Sequence, residues 1–254
     1  MIKAIWSAIK QAVSGKEFLV GFLGVIAIIA VSSIQQILGA FRAEELLMIG
    51  FHDNFIAEAL VSDGMTLALP ILAALPFTAS FVDDIKSGFI KSYLHRTSRA
   101  GYLTGKCIAC AVSGGLVLAL GIIVAYIISA LVFLPMEAPL PKDAEAPAFF
   151  AELMGNVLLF FFSGAFWSII GLAFATLTNS KYMAYASPFV LYYVLIILYE
   201  RYFDTLYVLY PKEWTSPSPE WMWGNLGVVL LLLELIIIMS LVFSAAAKRR
   251  LSQI

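Results

Sequence analysis

The sequence predicts an all-α membrane protein with six transmembrane helices, an N-terminal amphipathic helix and a short helix in the connection between spans two and three. Hydrophobic residues make up 61% of its 254 residues and charged residues 13%, and the mean hydropathy is +0.92. Soluble domains contain about 45–50% apolar and about 25% charged residues, so the bilayer is the main solvent of this chain. The net charge of −1 gives no indication of nucleic-acid binding.

The N-terminal segment 1–16 has apolar residues at helical spacing. They are Ile2, Ile5, Trp6, Ile9 and Val13. Lys3 and Lys10 lie elsewhere on the helical wheel. This pattern predicts an amphipathic helix in the plane of the membrane interface, with its lysines among lipid headgroups.

Six segments are apolar enough to cross a hydrocarbon core about 30 Å thick, which takes roughly 20 residues of helix. They are 18–38, 64–81, 107–134, 153–177, 182–199 and 225–247. Pro70 and Pro76 each remove a backbone donor, so the second helix is expected to be kinked. Gly164 and Ser168 give the fourth helix a face of small residues, which another helix can approach closely.

The connections differ in length and composition. Segment 39–63 is acidic and is predicted to be external, with helical character at 42–49 and 55–61. Segment 200–224 is rich in Tyr, Trp and Pro, and its Trp214, Trp221 and Trp223 are typical of the aromatic belt at a membrane–water interface. Spans four and five are joined by only a few residues, which predicts a tight hairpin.

The distribution of Lys and Arg predicts the orientation of the bundle. With both termini on one side of six spans, twelve of the sixteen Lys and Arg residues share that side. They are Lys3, Lys10, Lys16, Lys86, Lys91, Arg96, Arg99, Lys106, Lys181, Lys248, Arg249 and Arg250. Cytoplasmic loops carry the excess of Lys and Arg, so both termini are predicted to be cytoplasmic in a multi-pass cell-membrane protein.

Glu234 is the one clear charge inside a predicted span. A central acidic residue raises the free energy of insertion by roughly 2.5–3.5 kcal/mol, and such residues are functional by default. Two interpretations follow from the sequence. Glu234 either lies in a transport path or bonds a polar group on a neighbouring helix.

The connection 83–106 is a charged segment between two long apolar ones, and three interpretations apply to it. Its cations could meet anionic lipid, as in an ordinary cytoplasmic loop. The pair Asp83 and Asp84 could belong to a metal-dependent membrane enzyme, although further carboxylates are scarce on that side. Apolar residues at 85, 89, 90, 93 and 94 could form a short amphipathic helix that docks on another protein. Cys107 and Cys110 are interpreted as structural.

Segment 83–106 presents, in order, an acidic residue, a glycine, a short helix, Arg96, Ser98-Arg99, Tyr102 and Gly105-Lys106. With the N-terminal helix, six spans, a short four–five hairpin and an aromatic segment before span six, this order resembles the permease subunits of ABC-2-type transporters. The resemblance covers nearly the whole chain as one transmembrane domain, 1–254. In that family the loop after span two holds a coupling helix that seats in a cleft of a separate ATPase.

The resemblance implies which residues couple to the ATPase and which partners the chain has. The candidate coupling residues are Asp83, Asp84, Lys86, Gly88, Lys91, Arg96 and Arg99. No G-x-x-x-x-G-K-[ST] motif occurs, so this chain is predicted to hold no cofactor, with ATP and Mg on two partner ATPase subunits. A second copy or a paralogous permease completes the implied exporter.

The cargo is expected to be hydrophobic or amphipathic, with a peptide favoured, because the spans are apolar and rich in aromatic residues. The alternative function is a proton- or ion-coupled carrier that uses Glu234.

Overall fold

The computed structural model describes residues 2–90, 98–139 and 149–252. Within these ranges the side chains are described from residue 5 onward, except those of residues 149–151. The regular secondary structure of the described residues is helical, with two short 3-10 helices (Leu134–Met136 and Tyr207–Leu209) besides the α-helices, and one isolated β-bridge joins Leu47 to Glu137. Its helices are α1 (Ile2–Val13), α2 (Lys16–Ser32), α3 (Ile34–Arg42), α4 (Phe51–Val61), α5 (Asp63–Ala74), α6 (Ser80–Lys86), α7 (Arg99–Phe133), α8 (Phe149–Thr178), α9 (Lys181–Tyr202) and α10 (Asn225–Leu251). The all-α class is confirmed.

Four helices, α7 to α10, are each long and apolar enough to cross a membrane. Two helix pairs pass the same test only together, because each is bent at a short break. The pair α1–α2 bends by 53° and the pair α4–α5 by 69°. The chain therefore has four to six candidate spans, as expected of a multi-pass membrane protein.

The second predicted span, 64–81, is not one kinked helix. Helix α5 continues through Pro70, ends at Ala74 and is followed by turns to Ala79, before α6 begins at Ser80. Pro76 lies in this break and has no N–H for a helical hydrogen bond. The Ser168 hydroxyl donates to the Ala73 carbonyl at 2.7 Å, which satisfies an acceptor near the broken end.

Segment 39–63 does not form a simple exposed loop. Helix α4 confirms the helix predicted at 55–61 and contacts α7, with Phe55 and Ile56 buried. The helical character predicted at 42–49 is wrong beyond Arg42. Residues 43–49 form bends, one bridge residue and the start of a turn, and Leu47 exchanges backbone hydrogen bonds with Met136 and Ala138 after α7.

Helix α8 lies at the centre of the bundle and contacts α5, α6, α7, α9 and α10. The close approach of α7 and α8 depends on glycine. A Cβ at Gly164 would lie 2.7 Å from the Gly114 carbonyl oxygen, and one at Gly115 would lie 2.7 Å from the Phe161 carbonyl oxygen. The small-residue face predicted at Gly164 and Ser168 is therefore confirmed as a packing surface.

Candidate functional site

The candidate site is the end of the bundle where α6 leaves the break and α7 begins. We call it the basic end, and it also contains the α8–α9 turn and the last turns of α10. Phe81 and Val82 are fully buried in α6. These two side chains anchor α6 in the bundle. The next two residues, Asp83 and Asp84, therefore lie at the edge of the bundle.

Asp84 joins α6 to the first turns of α7. Its Oδ2 atom lies 2.7 Å from Lys106 Nζ and accepts a hydrogen bond of 2.6 Å from the Tyr102 hydroxyl. Tyr102 and Lys106 are four residues apart on α7 and therefore project from the same face. The Lys106 and Asp84 side chains are 5% and 15% exposed, so this is an ion pair inside the protein.

The surroundings of Lys106 are aromatic. Its ammonium lies 4.5 Å from the centre of the Phe77 ring, which comes from the break before α6. A cation over a ring face is attracted by the ring quadrupole, and more strongly where water is excluded. Lys106 thus contacts both the break and α6, and it ties them to α7.

Asp83 faces another helix. Its carboxylate forms an ion pair with Lys181, the first residue of α9, and both side chains are about half exposed. The guanidinium of Arg250, near the end of α10, donates to the Leu177 carbonyl at 2.7 Å. The basic end therefore links α6 to α9, and α10 to the end of α8.

The two neighbouring carboxylates of Asp83 and Asp84 do not converge on one point, because Lys181 and Lys106 hold them apart. In the described residues, no three His, Cys, Asp or Glu side chains are grouped as metal ligands.

Cys110 is buried, and its thiol donates to the Ser168 carbonyl at 3.4 Å.

Helix α1 closes the site from one side. It packs on α7, with Ala12 buried beside the α6 and α7 residues of a shared apolar cluster. Two cavities with several polar lining residues lie between α1 and the aspartates. One is lined by Ser7, Gln11, Asp84, Tyr102 and Lys106, among others, and the second includes Gln11, Glu17, Asp83 and Tyr185.

The remaining candidate coupling residues lie further out. Lys86 is exposed at the end of α6, and Gly88 has a φ of +73° with no atom within 4 Å of where a Cβ would stand. Gly88 thus interrupts the helix, as predicted, and the chain is helical again at residue 89. Arg99 is exposed at the start of α7, which Ser98 caps by accepting from Gly101 N–H at 3.2 Å. Lys91 and Arg96 fall outside the described residues.

Glu234 is not in the interior of the bundle. Its side chain is exposed on α10, on the side opposite Val228 and Leu232, which are buried. A transport path within one chain needs a side chain that faces the interior of the bundle. The side chain of Glu234 does not face it.

The other end of the bundle is joined by a second polar cluster. The Glu137 carboxylate accepts from Gly50 N–H at 3.0 Å and from His52 N–H at 2.8 Å, and its Oε1 lies 2.6 Å from His52 Nδ1. His52 Nε2 lies 3.2 Å from Asp53. Burial alone would raise the pKa of Glu137, but these hydrogen bonds outweigh burial and hold its pKa below the ordinary value.

The aromatic segment before α10 is partly folded into the bundle. Trp214 is buried, stacks on Trp167 of α8 with ring centres 5.7 Å apart, and donates from Nε1 to the Val208 carbonyl at 2.9 Å. Trp221 is buried as well and donates to Glu213. Trp223 is exposed, and its place in an aromatic belt at the membrane interface stays a prediction.

The sequence-based set of site residues omitted Tyr102, Lys106 and Lys181, which hold the two aspartates. Two signals were available for Lys106. It is the last charge before a long apolar run, and it follows Tyr102 by one helical turn. The partner of each aspartate depends on how α6 folds back, which no local pattern encodes.

Comparison with known proteins adds no assignment to this site. No protein-family model matches the chain, and no curated protein is significantly similar to it.

Proposed function

We propose that this chain is the membrane subunit of an ATP-driven exporter of the ABC-2 type, with segment 83–106 receiving a separate ATPase. In this proposal the chain has six spans, the bent pairs α1–α2 and α4–α5 contributing one each. Both termini and the basic end face the cytoplasm, α1 lies partly in the membrane interface, and segment 200–224 is on the external side.

One observation carries the proposal. The root of segment 83–106 is tied to two different span helices, through Asp84 to α7 and through Asp83 to α9. If a bound partner moves this segment, the two ion pairs transmit the movement to α7 and α9 together. A loop that only contacts lipid headgroups needs no ion pairs to two helices. Lys86, Gly88 and Arg99 are exposed and are therefore accessible to a partner.

The partners and the cargo follow from the same proposal. ATP and Mg are bound by two cassette ATPase subunits, and a second permease subunit completes the complex. The cargo is amphipathic or hydrophobic, with a peptide favoured. An almost wholly apolar groove, lined by residues such as Ile29, Phe41, Phe55, Ile128 and Phe133, supports this cargo class.

The alternative, an ion-coupled carrier that uses Glu234, is less well supported because Glu234 faces outward from its own bundle. A carrier site needs its carboxylate in a wet cavity between helices. We therefore retain the exporter as the proposed function.

The test is co-purification with an ATPase. The full-length chain, tagged and extracted from native membranes in mild detergent, is expected to bring down a cassette ATPase and nucleotide hydrolysis. A variant lacking residues 87–94 is expected to lose both while keeping its level in the membrane. A matched loop variant, Lys212→Ala in the segment before α10, is expected to keep both. Unchanged ATPase recovery with the deletion variant would refute the proposal.

A further inference from the structure

We infer that His52, Asp53 and Glu137 form a proton-dependent latch. The latch holds the start of α4 against the chain after α7 while both nitrogens of the His52 ring carry a proton, and it opens when the ring loses one of them. The inference goes beyond the proposed function and involves no ATPase. The latch lies at the end of the bundle opposite the basic end, so in the proposed orientation it responds to pH outside the cell.

Both nitrogens of the His52 ring face carboxylate oxygens. Nδ1 lies 2.6 Å from Glu137 Oε1, and Nε2 lies 3.2 Å from Asp53 Oδ2. A neutral imidazole has one N–H and one lone pair, whereas both nitrogens are donors in the protonated ring. Only the protonated ring therefore donates to both carboxylates. The neutral ring turns a lone pair towards one of them.

The three side chains of the latch are nearly enclosed by protein. Those of His52, Asp53 and Glu137 are 11%, 10% and 8% exposed. A polar group that loses its partner away from water costs more than the net value of the hydrogen bond, because no water replaces that partner. When the ring loses a proton, one enclosed carboxylate loses its donor, and this favours separation of α4 from the chain after α7.

The ring is the member of the latch whose charge changes near neutral pH. Imidazole is the side chain that ordinarily titrates closest to this range. The Glu137 carboxylate keeps its charge there, because hydrogen bonds from Gly50 and His52 hold its pKa below the ordinary value. The sign follows from these two facts. The latch is closed at the lower pH and opens as the pH rises and the ring becomes neutral.

The contacts around the ring show what the latch holds. The Glu137 carboxylate also accepts from the N–H groups of Gly50 and His52, and Leu47 is bridged to Glu137. The Ser129 hydroxyl of α7 donates to the His52 carbonyl at 3.2 Å. Opening of the latch therefore releases segment 43–50 and the first turn of α4 from the end of α7.

The other titratable groups near the ring are a tyrosine and a glutamate. The ring of Tyr126 on α7 lies 5.7 Å from that of His52, centre to centre. Glu152 of α8 is exposed and lines, with Asp53 and Tyr126, a cavity of about 70 Å³ that gives protons from water access to the latch. The other charged residues of α2 to α5 and their connections form no hydrogen bond or ion pair with the ring in the described structure. They are Lys16, Glu17, Arg42, Glu44, Glu45, Glu58 and Asp63.

The first test observes the ring directly. The chain has two histidines, so His95→Gln leaves His52 as the single histidine. Nitrogen NMR of the full-length chain with labelled histidine distinguishes a protonated ring nitrogen from one with a lone pair. Two protonated nitrogens are expected at about pH 6 and one at about pH 9. A neutral ring at the lower pH would overturn the inference, as would a ring that is still doubly protonated at the higher one.

The second test measures opening by amide hydrogen exchange in the full-length chain, with each rate divided by that of the unfolded chain at the same pH. Protection of the Gly50 and His52 N–H groups should fall by on the order of tenfold from about pH 6 to about pH 9, the scale of one hydrogen bond to a charged group. The Ser218 N–H is the internal control. It donates to the Glu213 carboxylate at 2.7 Å, and that carboxylate has no imidazole among its described partners. An equal fall at Ser218 would contradict the latch.

Asp53→Asn separates a proton-dependent latch from an ordinary structural contact. The amide of Asn can donate to Nε2, so a neutral ring with its proton on Nδ1 satisfies both neighbours. The variant is expected to protect the Gly50 and His52 N–H groups equally at about pH 6 and about pH 9. A pH profile equal to that of the unaltered chain would refute the inference. The ring titration and the exchange of the unaltered chain decide the question even where this variant does not fold.

Discussion

Lys106 Nζ lies 2.7 Å from Asp84 Oδ2 within a shell formed by Phe77 and Tyr102, and this contact joins the break after α5 to α7. Two charges taken out of water are stabilised only if they remain paired. The pair thus connects α6 to α7. Substitution of either residue alone leaves the charge of the other one uncompensated inside the protein.

Asp84→Asn is the first prediction. It leaves the buried ammonium of Lys106 without its counter-charge, and breaking such a pair from one side typically lowers stability by about 3–5 kcal/mol. We expect a clearly lower thermal unfolding midpoint in detergent. The double variant Asp84→Leu/Lys106→Leu is expected to recover much of the loss, because it removes both charges.

Asp83→Asn is the matched control for the Asp84 variant. The pair that Asp83 forms with Lys181 is about half exposed, and exposed ion pairs contribute little to stability. An unfolding midpoint close to that of the unaltered chain is expected. Equal losses for the Asp83 and Asp84 variants would contradict the distinction between a surface link and a buried one.

The second prediction concerns Gly88. Its φ of +73° lies in the left-handed region, where a Cβ raises the energy by roughly 1–2 kcal/mol, and no neighbouring atom would obstruct that Cβ. Gly88→Ala should therefore destabilise through the backbone alone. Gly88→Asn should destabilise less, because Asn tolerates this region better. Comparison of both unfolding midpoints, and of ATPase recovery, separates a conformational role of Gly88 from a contact role.

The third prediction is a pH dependence at Glu137. Hydrogen bonds from Gly50 and His52 hold the pKa of this carboxyl below its ordinary value of 4.5. A depressed pKa gives stability that is complete above the unfolded-state pKa and is lost as pH falls through the folded-state pKa. We expect the unaltered chain to lose stability below about pH 4.5, where the unfolded carboxyl begins to bind protons.

Glu137→Gln should show a smaller loss over the same acid range, because its amide does not titrate. It should also be less stable than the unaltered chain at neutral pH, where it lacks the carboxylate that binds two backbone N–H groups and the His52 ring. Unfolding midpoints measured from pH 7 to pH 3.5 test both statements. Parallel curves for the two chains would contradict the assignment.

The all-α class and the long helices α7 to α10 were predictable because an uninterrupted apolar run longer than a membrane thickness has few other folds. The breaks were not. Pro70 and Pro76 look alike in the sequence, yet α5 continues through one and ends near the other. The difference lies in tertiary contacts, since Ser168 of α8 stabilises a carbonyl at the broken end.

The candidate site was predicted in location but not in composition. A charged segment between two spans is visible as a composition change, and Gly88 is visible as a helix breaker. The partners of Asp83 and Asp84 are 98 and 22 residues away in the chain. Similarly, Trp214 had the composition of an interfacial residue, and only the fold of segment 203–224 places it on Trp167.

The fourth prediction tests the contact between α7 and α8. Gly164→Leu would force a side chain into the Gly114 backbone, since even a Cβ would lie 2.7 Å from its carbonyl oxygen. Overpacking of this kind usually costs about 1–3 kcal/mol. Gly39→Ala on α3 is the control, and we expect it to leave stability unchanged or to raise it. Nothing lies within 4 Å of the position of its Cβ, and alanine favours a helix. Thermal unfolding of both variants should show a lower midpoint for the first and an equal or higher one for the second.

The last prediction concerns Trp214. Its ring stacks on Trp167, meets Phe166 edge-on and donates to Val208, so it holds the segment before α10 against α8. Truncation of a buried tryptophan to alanine typically lowers stability by about 3–5 kcal/mol. Trp223→Ala is the matched control, because Trp223 is exposed and should have little effect. Trp214→Phe should fall between the two, since it keeps an aromatic ring and loses the N–H donor. Limited proteolysis of segment 203–224 separates local release from global unfolding. Rapid cleavage in Trp214→Ala with α8 and α10 intact is expected if the indole alone anchors the segment, and cleavage equal to that of Trp223→Ala would contradict the anchoring role.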